Sequence, residues 1–344
     1  MRVLFIGGTG NISTACVERA LAVGHRVTIL TRGQRQAPYC GRVEEVRGDR
    51  DDPAVLAALG ERGFDVVANF LGFRAEQVER DLDAFGGRCG QYVFISTASA
   101  YMKPPRDHII TESTPLHNPF WQYSRDKIAC EERLMRAHRE TGYPVTIVRP
   151  SYTYGGTWIP SGVGGHGYTV VGRLRRGQPI ISHGDGQALW VMTAADDFAV
   201  GFVGLFGQVR AIGEAFHITS DEALTWDTLY RTIARAAGVE PEIVHIPSEF
   251  IAAMYPRLGP GLIGDKAYSV VFDNSKIRRL VPEFTAPTTF AAGVARSLAW
   301  HDADPARQVI DEDLSRMMDR LIERYRRCVE EARPTPGPRE PQWV

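Results

Sequence analysis

Short apolar runs and amphipathic stretches alternate through the first half of the chain. Val3–Ile6, Val27–Leu30, Asp65–Phe70, Tyr92–Ile95 and Val145–Val148 read as strands. Between them apolar positions recur at helical spacing. Thr14–Val23 places Ala15, Val17, Leu21 and Ala22 on one face and ends at Gly24. Asp52–Leu59 starts with Pro53, where a missing N–H is harmless. Glu76–Phe85 and the longer Ser124–Thr141 complete the set. Continuous apolar strands separated by helices predict a parallel sheet covered on both faces, a Rossmann-like doubly wound α/β fold.

Beyond Gly155 the pattern loosens, and residues 155–190 are rich in glycine. A helix over Ala194–Phe206 and a strand over Phe216–Ile218 read as returns to the sheet. Leu224–Ala237, Ser248–Met254 and Thr289–Trp300 predict helices of a smaller, mixed α/β region, and Asp311–Ala332 a charged amphipathic helix. The proline-rich end of the chain predicts a mobile tail over 333–344.

The 344 residues are 44% hydrophobic and 24% charged, with a net charge of −1. That balance gives no long-range field to recruit nucleic acid or an anionic membrane. No apolar run reaches the roughly 20 residues that span a bilayer. The five cysteines, Cys16, Cys40, Cys89, Cys130 and Cys328, show no metal-ligand spacing. They read as reduced, mostly buried thiols of a cytoplasmic protein, with no metal site. The first residues already read as a core strand, so no signal peptide is expected.

The first strand runs into Gly7-Gly8-Thr9-Gly10-Asn11-Ile12-Ser13. In a strand–loop–helix nucleotide site one glycine permits the tight turn and a second lets backbone approach a pyrophosphate; a third, small residue lets helix and strand pack. Gly7 and Gly10 fill the first two places and Ser13 is small enough for the third. Asn11, followed by Ile12, lies beside the phosphate path and offers a further donor. The chain therefore divides into a dinucleotide-binding unit over 1–155, with returns near 191–218, and a substrate-binding region over 156–190 and 219–332.

At the end of the second strand an acidic residue would take the ribose hydroxyls of NAD. Thr31 stands there, followed by Arg32, whose guanidinium suits a 2′-phosphate or stacks on adenine. This tilts the cofactor from NAD toward NADP; the alternative is a solvated surface arginine. Asp49 is placed either to meet the adenine amino group or to cap the following helix.

Tyr123 and Lys127 lie one turn apart on the long helix. An ammonium and a nicotinamide cation near a tyrosine hydroxyl lower its pKa, so that it exchanges the proton of a carbinol. Thr97 and Ser99, at the end of a strand, offer hydroxyls to the same substrate oxygen.

With these pieces together the chain resembles the extended short-chain dehydrogenase/reductases, the NAD-dependent epimerase/dehydratase family, over roughly residues 1–300. Gly7, Gly10 and Ser13 match the glycine motif. Asp65–Gly72, with Phe70 and Leu71, resembles the strand and turn lining the cofactor. Thr97, Tyr123 and Lys127 match the catalytic set. Arg149–Gly155, Gly184-Asp185-Gly186, Asp196 and Asp197 match later landmarks. The resemblance implies NAD(P), a sugar-like substrate and a homodimer.

The departures concern the substrate. Ala98 and Ser99 follow Thr97, where 4,6-dehydratases carry an Asp-Glu pair. Tyr152 and Trp190 stand where nucleotide-sugar enzymes usually place an asparagine and a diphosphate-binding arginine, so both are expected to line the substrate cleft; Arg173, Arg175 and Arg176 are candidate substitutes. His166 and His183 are further candidates to face the cleft, or surface loop histidines. The expected activity is epimerisation of a secondary alcohol through a transient ketone, with a net NADP-dependent dehydrogenase or reductase as the alternative. Thr31–Gly33 and Arg149–Gly155 also look like a branch that includes chloroplast stem-loop RNA-binding proteins. That raises an RNA binder on a reductase fold, against which stand the neutral charge and the intact catalytic set.

Overall fold

The computed structural model describes residues 1–35, 38–39 and 41–333. Cys40 and, apart from Arg333, the tail expected to be mobile lie outside them. Seven parallel strands form the main sheet: β1 (Arg2–Ile6), β2 (Arg26–Thr31), β3 (Glu44–Arg47), β4 (Phe64–Asn69), β5 (Cys89–Ile95), β6 (Val145–Pro150) and β7 (Glu214–Ile218). Their order is β3-β2-β1-β4-β5-β6-β7. The direction of winding reverses between β1 and β4, and in such sheets a crevice opens at the carboxyl ends of those strands.

Strand alternation explains why these runs carry apolar residues on both faces. On β1, Val3 and Phe5 join one core with Val17, Phe198, Phe202 and Phe216. Leu4 and Ile6 point to the other face and join Leu56, Val67, Val78, Leu134 and Ile147. Each face is covered by helices, so neither side chain set meets water. Helix α1 (Asn11–Ala22) starts three residues before its expected beginning, because Gly10 takes the extended N-cap conformation. Helices α2 (Pro53–Gly60), α3 (Ala75–Phe85), α4 (Gln122–Thr141) and α5 (Ala195–Gly204) follow.

Buried polar pairs tie this layer together. Arg50 donates to both oxygens of Asp81 at 2.7 and 2.8 Å, and Asn69 and Tyr92 donate to the same carboxylate. Arg149, the first residue of the Arg149–Gly155 landmark, makes a buried bond to Glu131 on α4 at 2.6 Å and lies over the Tyr101 ring. It joins β6 to α4 and leaves no free charge for a ligand.

The second half departs from the sequence expectation in one respect. Residues 189–194 do not return to the main sheet; 192–194 pair with 152–154, and 189–191 pair with 223–225. The helix expected from Leu224 therefore starts at Trp226, behind a short strand. Strands over 180–183 and 243–246 form a further pair. A separate core of Tyr154, Val170, Trp190, Trp226, Tyr230, Phe290 and Met318, among others, underlies this half. Helix Glu312–Glu331 lays Met317, Met318, Leu321 and Ile322 onto it.

Candidate active site

A cleft of about 1040 Å³ runs between the main sheet and the second half. One end is formed by the loop after β1. Gly7 and Gly8 have φ of +105° and +122°, a region that side chains rarely adopt. A Cβ on Gly8 would also meet Ile29 at 3.0 Å. Gly8 thus shares the turn with Gly7, and its carbonyl accepts from the buried hydroxyl of Tyr39. Gly8 and Tyr39 have roles that the sequence motif does not mark. Ser13 accepts from the Gly10 N–H at 2.9 Å, which closes the start of α1. Gly7, Gly10, Asn11, Ile12, Phe70 and Leu71 all line this end.

Asn11 lines the cleft, but its side chain is committed elsewhere. Its amide donates to the Thr153 carbonyl at 2.9 Å and accepts from the Gly155 N–H at 2.6 Å. The expected free donor beside the phosphate path is therefore a clamp between the glycine loop and the strand over 152–154. The backbone at the start of α1 remains to meet an anion.

Thr31 is buried, and its hydroxyl accepts from the Gly33 N–H at 3.2 Å. Arg32 is exposed on the cleft wall, with no ion-pair partner among the described residues. Asp49 also lines the cleft. It accepts from the Asp51 N–H, while the cap of α2 is supplied by Asp52. The cradle fits a dinucleotide on its own features: a glycine turn, an open helix N-terminus, and the buried Ser96 hydroxyl, which has no partner.

At the other end of the crevice stand Thr97, Tyr123 and Lys127. Lys127 is buried and donates to the carbonyls of Gly72 and Ile95 at 2.6 and 2.7 Å. Burial pulls its pKa down to about 8. Its ammonium lies 5.9 Å from the Tyr123 ring centroid. The expected lowering of the Tyr123 pKa involves a bound nicotinamide cation as well as Lys127. Burial pushes the Tyr123 hydroxyl up, and a bond from the Thr97 side chain only partly offsets it. Dehydrating a phenolate outweighs one hydrogen bond.

The expected substrate residues divide. Tyr152 lines the cleft, and its hydroxyl accepts from the Ser161 N–H at 3.4 Å. Trp190 does not line it. The ring is 3% exposed, packs against Trp226 at 5.5 Å, and donates to the carbonyls of Lys266 and Tyr268 at 3.2 Å. An aromatic on a strand buried on both faces serves the core, which corrects its assignment to the cleft. Ser99 is corrected too: it is buried away from the cleft, 3.0 Å from the Thr97 hydroxyl and 2.8 Å from that of Ser124. It supports Thr97 from behind.

The arginines offered as substitutes are also occupied. Arg173 is fully buried against Ser315, Pro179 and Asp319. Arg175 pairs with Asp302 and Arg176 with Glu312. Of the histidines, His166 lines the cleft and stacks on Trp158 at 3.4 Å between centroids, whereas His183 is buried in the core beside Trp226. Residues that the sequence reading missed line the substrate end: Trp121, Trp158, Arg257 and Lys266. The last two lie in a stretch without periodicity, and no motif marks them.

Among the described residues no group of three or more His, Cys, Asp or Glu is placed to hold a metal, and no helix is long and apolar enough to cross a membrane. Cys16 and Cys130 are buried free thiols, and Cys89 and Cys328 are partly buried.

Residues 3–218 match the NAD dependent epimerase/dehydratase family. The chain is 30% identical to the chloroplast stem-loop binding protein of 41 kDa b of Arabidopsis thaliana over 269 residues, 72% of this chain and 67% of that protein. It is 27% identical to 2′-dehydrokanamycin reductase of Streptomyces kanamyceticus, covering 83% of this chain and 80% of that one. Among solved structures, UDP-glucuronic acid 4-epimerase from Bacillus cereus in complex with NAD has a TM-score of 0.70 at 18% identity, over 89% of this chain and 99% of that one, a likeness of fold. The glycine cradle at the switch point, the tyrosine–lysine helix facing it and the match over most of the main sheet agree. The chain belongs to the NAD-dependent epimerase/dehydratase family and is an NAD(P)-dependent enzyme of the short-chain dehydrogenase/reductase type.

Proposed function

We propose that the protein interconverts a secondary alcohol and a ketone on a sugar-like substrate, with epimerisation as the net reaction. The observation that carries this reading is the placement of Tyr123, together with Thr97 and Lys127, at the substrate end of a dinucleotide cleft. A bound nicotinamide would supply the redox chemistry, reversible acceptance of a hydride, which the residues below would accompany with proton transfer.

Tyr123 takes the hydroxyl proton of the substrate as the carbinol is oxidised and gives it back on reduction. Thr97 bonds the same oxygen and fixes its distance from Tyr123. Ser99, itself bonded to Ser124, holds the Thr97 hydroxyl in place. Lys127 anchors α4 to the sheet and carries positive charge at the cleft floor. Ala98 and Ser99 supply no acid or base for a dehydration, which favours hydride chemistry without elimination.

Gly7, Gly10 and the backbone of Asn11 and Ile12 would hold the pyrophosphate, Phe70 and Leu71 the adjoining wall. Arg32 beside Thr31, with no acid at that strand end, favours NADP. The identity to 2′-dehydrokanamycin reductase favours a second reading, net reduction of a keto group on an aminoglycoside-like sugar. The stem-loop binding relative keeps RNA as a third outcome to test. Nucleotide extracted from purified protein separates the first two readings. Stoichiometric, slowly exchanging cofactor supports an epimerase; an empty site and stoichiometric NADPH consumption support a net reductase. Retention of an RNA hairpin without cofactor turnover would overturn both.

A further inference from the structure

The substrate end of the cleft is lined by Lys266, a lysine set on an unusual backbone turn. Lys266 closes a five-residue π-helical turn, Leu262–Lys266, and such turns recur at functional sites. Its backbone is held with unusual care. The Lys266 carbonyl accepts from His183 Nε2 at 2.9 Å, Trp190 Nε1 at 3.2 Å and Trp226 Nε1 at 3.3 Å. Three buried rings thus fix one peptide group. On the other side, Asn118 donates to the Gly264 carbonyl at 2.7 Å while accepting from the N–H groups of Phe120 and Trp121. The turn is thereby docked on the start of α4.

This anchoring sets the ammonium on the same cleft wall as Trp121, whose ring packs on Tyr123. Lys266 Nζ lies 5.8 Å from the Trp121 ring centroid, and that ring lies 5.1 Å from the ring of Tyr123. The neighbouring acid is already taken, since Asp265 pairs with the buried Lys103 at 3.6 Å. Lys266 itself has no carboxylate within ion-pair distance among the described residues, and its one bond is a long 3.3 Å contact to the Gly261 carbonyl. Arg257 lines the same wall, exposed, with no partner for its guanidinium among the described residues. Asp49 and Asp51 line only the adenosine end of the cleft, so two cations at the substrate end, with no carboxylate among the lining residues there, leave a site for a negative group. Burial pulls the Lys266 pKa down, with Asp265 partly offsetting it; an anion in the cleft would restore the charge.

We propose that Lys266, assisted by Arg257, forms an oxyanion subsite beside Tyr123 and selects substrates carrying a carboxylate or phosphoryl group. This rests on the cleft being the substrate site, as proposed above. Both residues lie beyond the 3–218 stretch that matches the family, so the subsite belongs to this chain's own second half. It also accounts for the buried tryptophan at position 190: the ring supports the subsite instead of lining it.

The test measures binding and needs no turnover. The full chain is saturated with NADP, which fills the cofactor's phosphate site, and titrated with inorganic phosphate and separately with D-glucuronate. Binding is followed by ³¹P line broadening and by saturation-transfer NMR. Wild type should bind at least one probe, and the probe bound tells phosphoryl from carboxylate. Lys266→Met should weaken that probe on the order of tenfold or more, Lys266→Arg should retain it, and Arg257→Gln should give a smaller loss. NADP affinity should be unchanged in all three. Lys266→Gln repeats the measurement if the methionine variant folds poorly. Binding by neither probe in wild type, or equal binding in wild type and Lys266→Met, overturns the subsite. Tyr123→Phe should bind the probes normally, so loss of the catalytic reading and loss of the subsite are distinguishable.

Discussion

The ammonium of Lys127 lies 2.7 Å from the carbonyl of Ile95, at the carboxyl end of β5. That bond and its partner at Gly72 pin α4 where the sheet strand gives way to Ser96 and Thr97. One turn earlier on the helix, Tyr123 is thereby held in the cleft that Thr97 also lines. Tyr123→Phe should keep the fold and the NADP affinity while turnover falls by about 10²–10⁴-fold, the usual size of a general acid–base contribution. Near-normal activity of this variant on the true substrate would remove Tyr123 from the mechanism.

Arg32 is exposed on the adenosine side of the cleft, next to a threonine whose hydroxyl is already bonded. If it meets a 2′-phosphate, Arg32→Ala should weaken NADP by about 10–150-fold and NAD far less. Titrations of both cofactors into both proteins decide the matter. Equal losses would mean that Arg32 only stacks on adenine, and a wild-type preference for NAD would refute the 2′-phosphate assignment.

His183 sets a pH dependence of stability. Burial pulls its pKa from the ordinary 6.5 to about 4, and its Nδ1 has no partner to receive a second proton's bond. Between pH 6.5 and 4 the unfolded chain therefore holds more protons than the folded one. Stability should fall as the pH drops through that window, with a slope from this group of at most ~1.4 kcal/mol per pH unit. Urea midpoints collected across the window should show a shallower slope in His183→Gln than in wild type.

Trp190 is a core residue, so its loss should be felt first in stability. Trp190→Ala should cost about 3–5 kcal/mol, as deletion of a buried indole typically does. The same change removes one of the three donors to the Lys266 carbonyl. Differential scanning calorimetry should show a lowered melting temperature. An unchanged melting temperature with lost activity would instead return Trp190 to the cleft.

The local pattern of the chain was enough to reveal the dinucleotide half. Val3–Ile6 is apolar at every position and Val27–Leu30 at all but Thr28, a pattern that a sheet covered on both faces requires, and the Gly7–Ser13 loop sits between a strand and a helix. Tyr123 and Lys127 were equally legible, because four residues on one helix are neighbours whatever the tertiary fold. Where side chains of the second half point could not be read in this way. Tyr152 and Trp190 stand on adjacent parallel strands, yet one lines the cleft and the other is buried against Trp226. Asn11 looks like a phosphate donor in the motif and becomes a clamp only because the Thr153 and Gly155 backbone comes within 2.9 Å. Lys266 has no motif at all: its position follows from contacts with His183, Trp190 and Trp226, residues 40 to 83 positions away in the chain. Backbone period and turn chemistry are properties of neighbouring residues, so the sequence carries them directly. Which polar group is left without a partner, facing a cleft, depends on every element packed around it, and only the folded chain decides that.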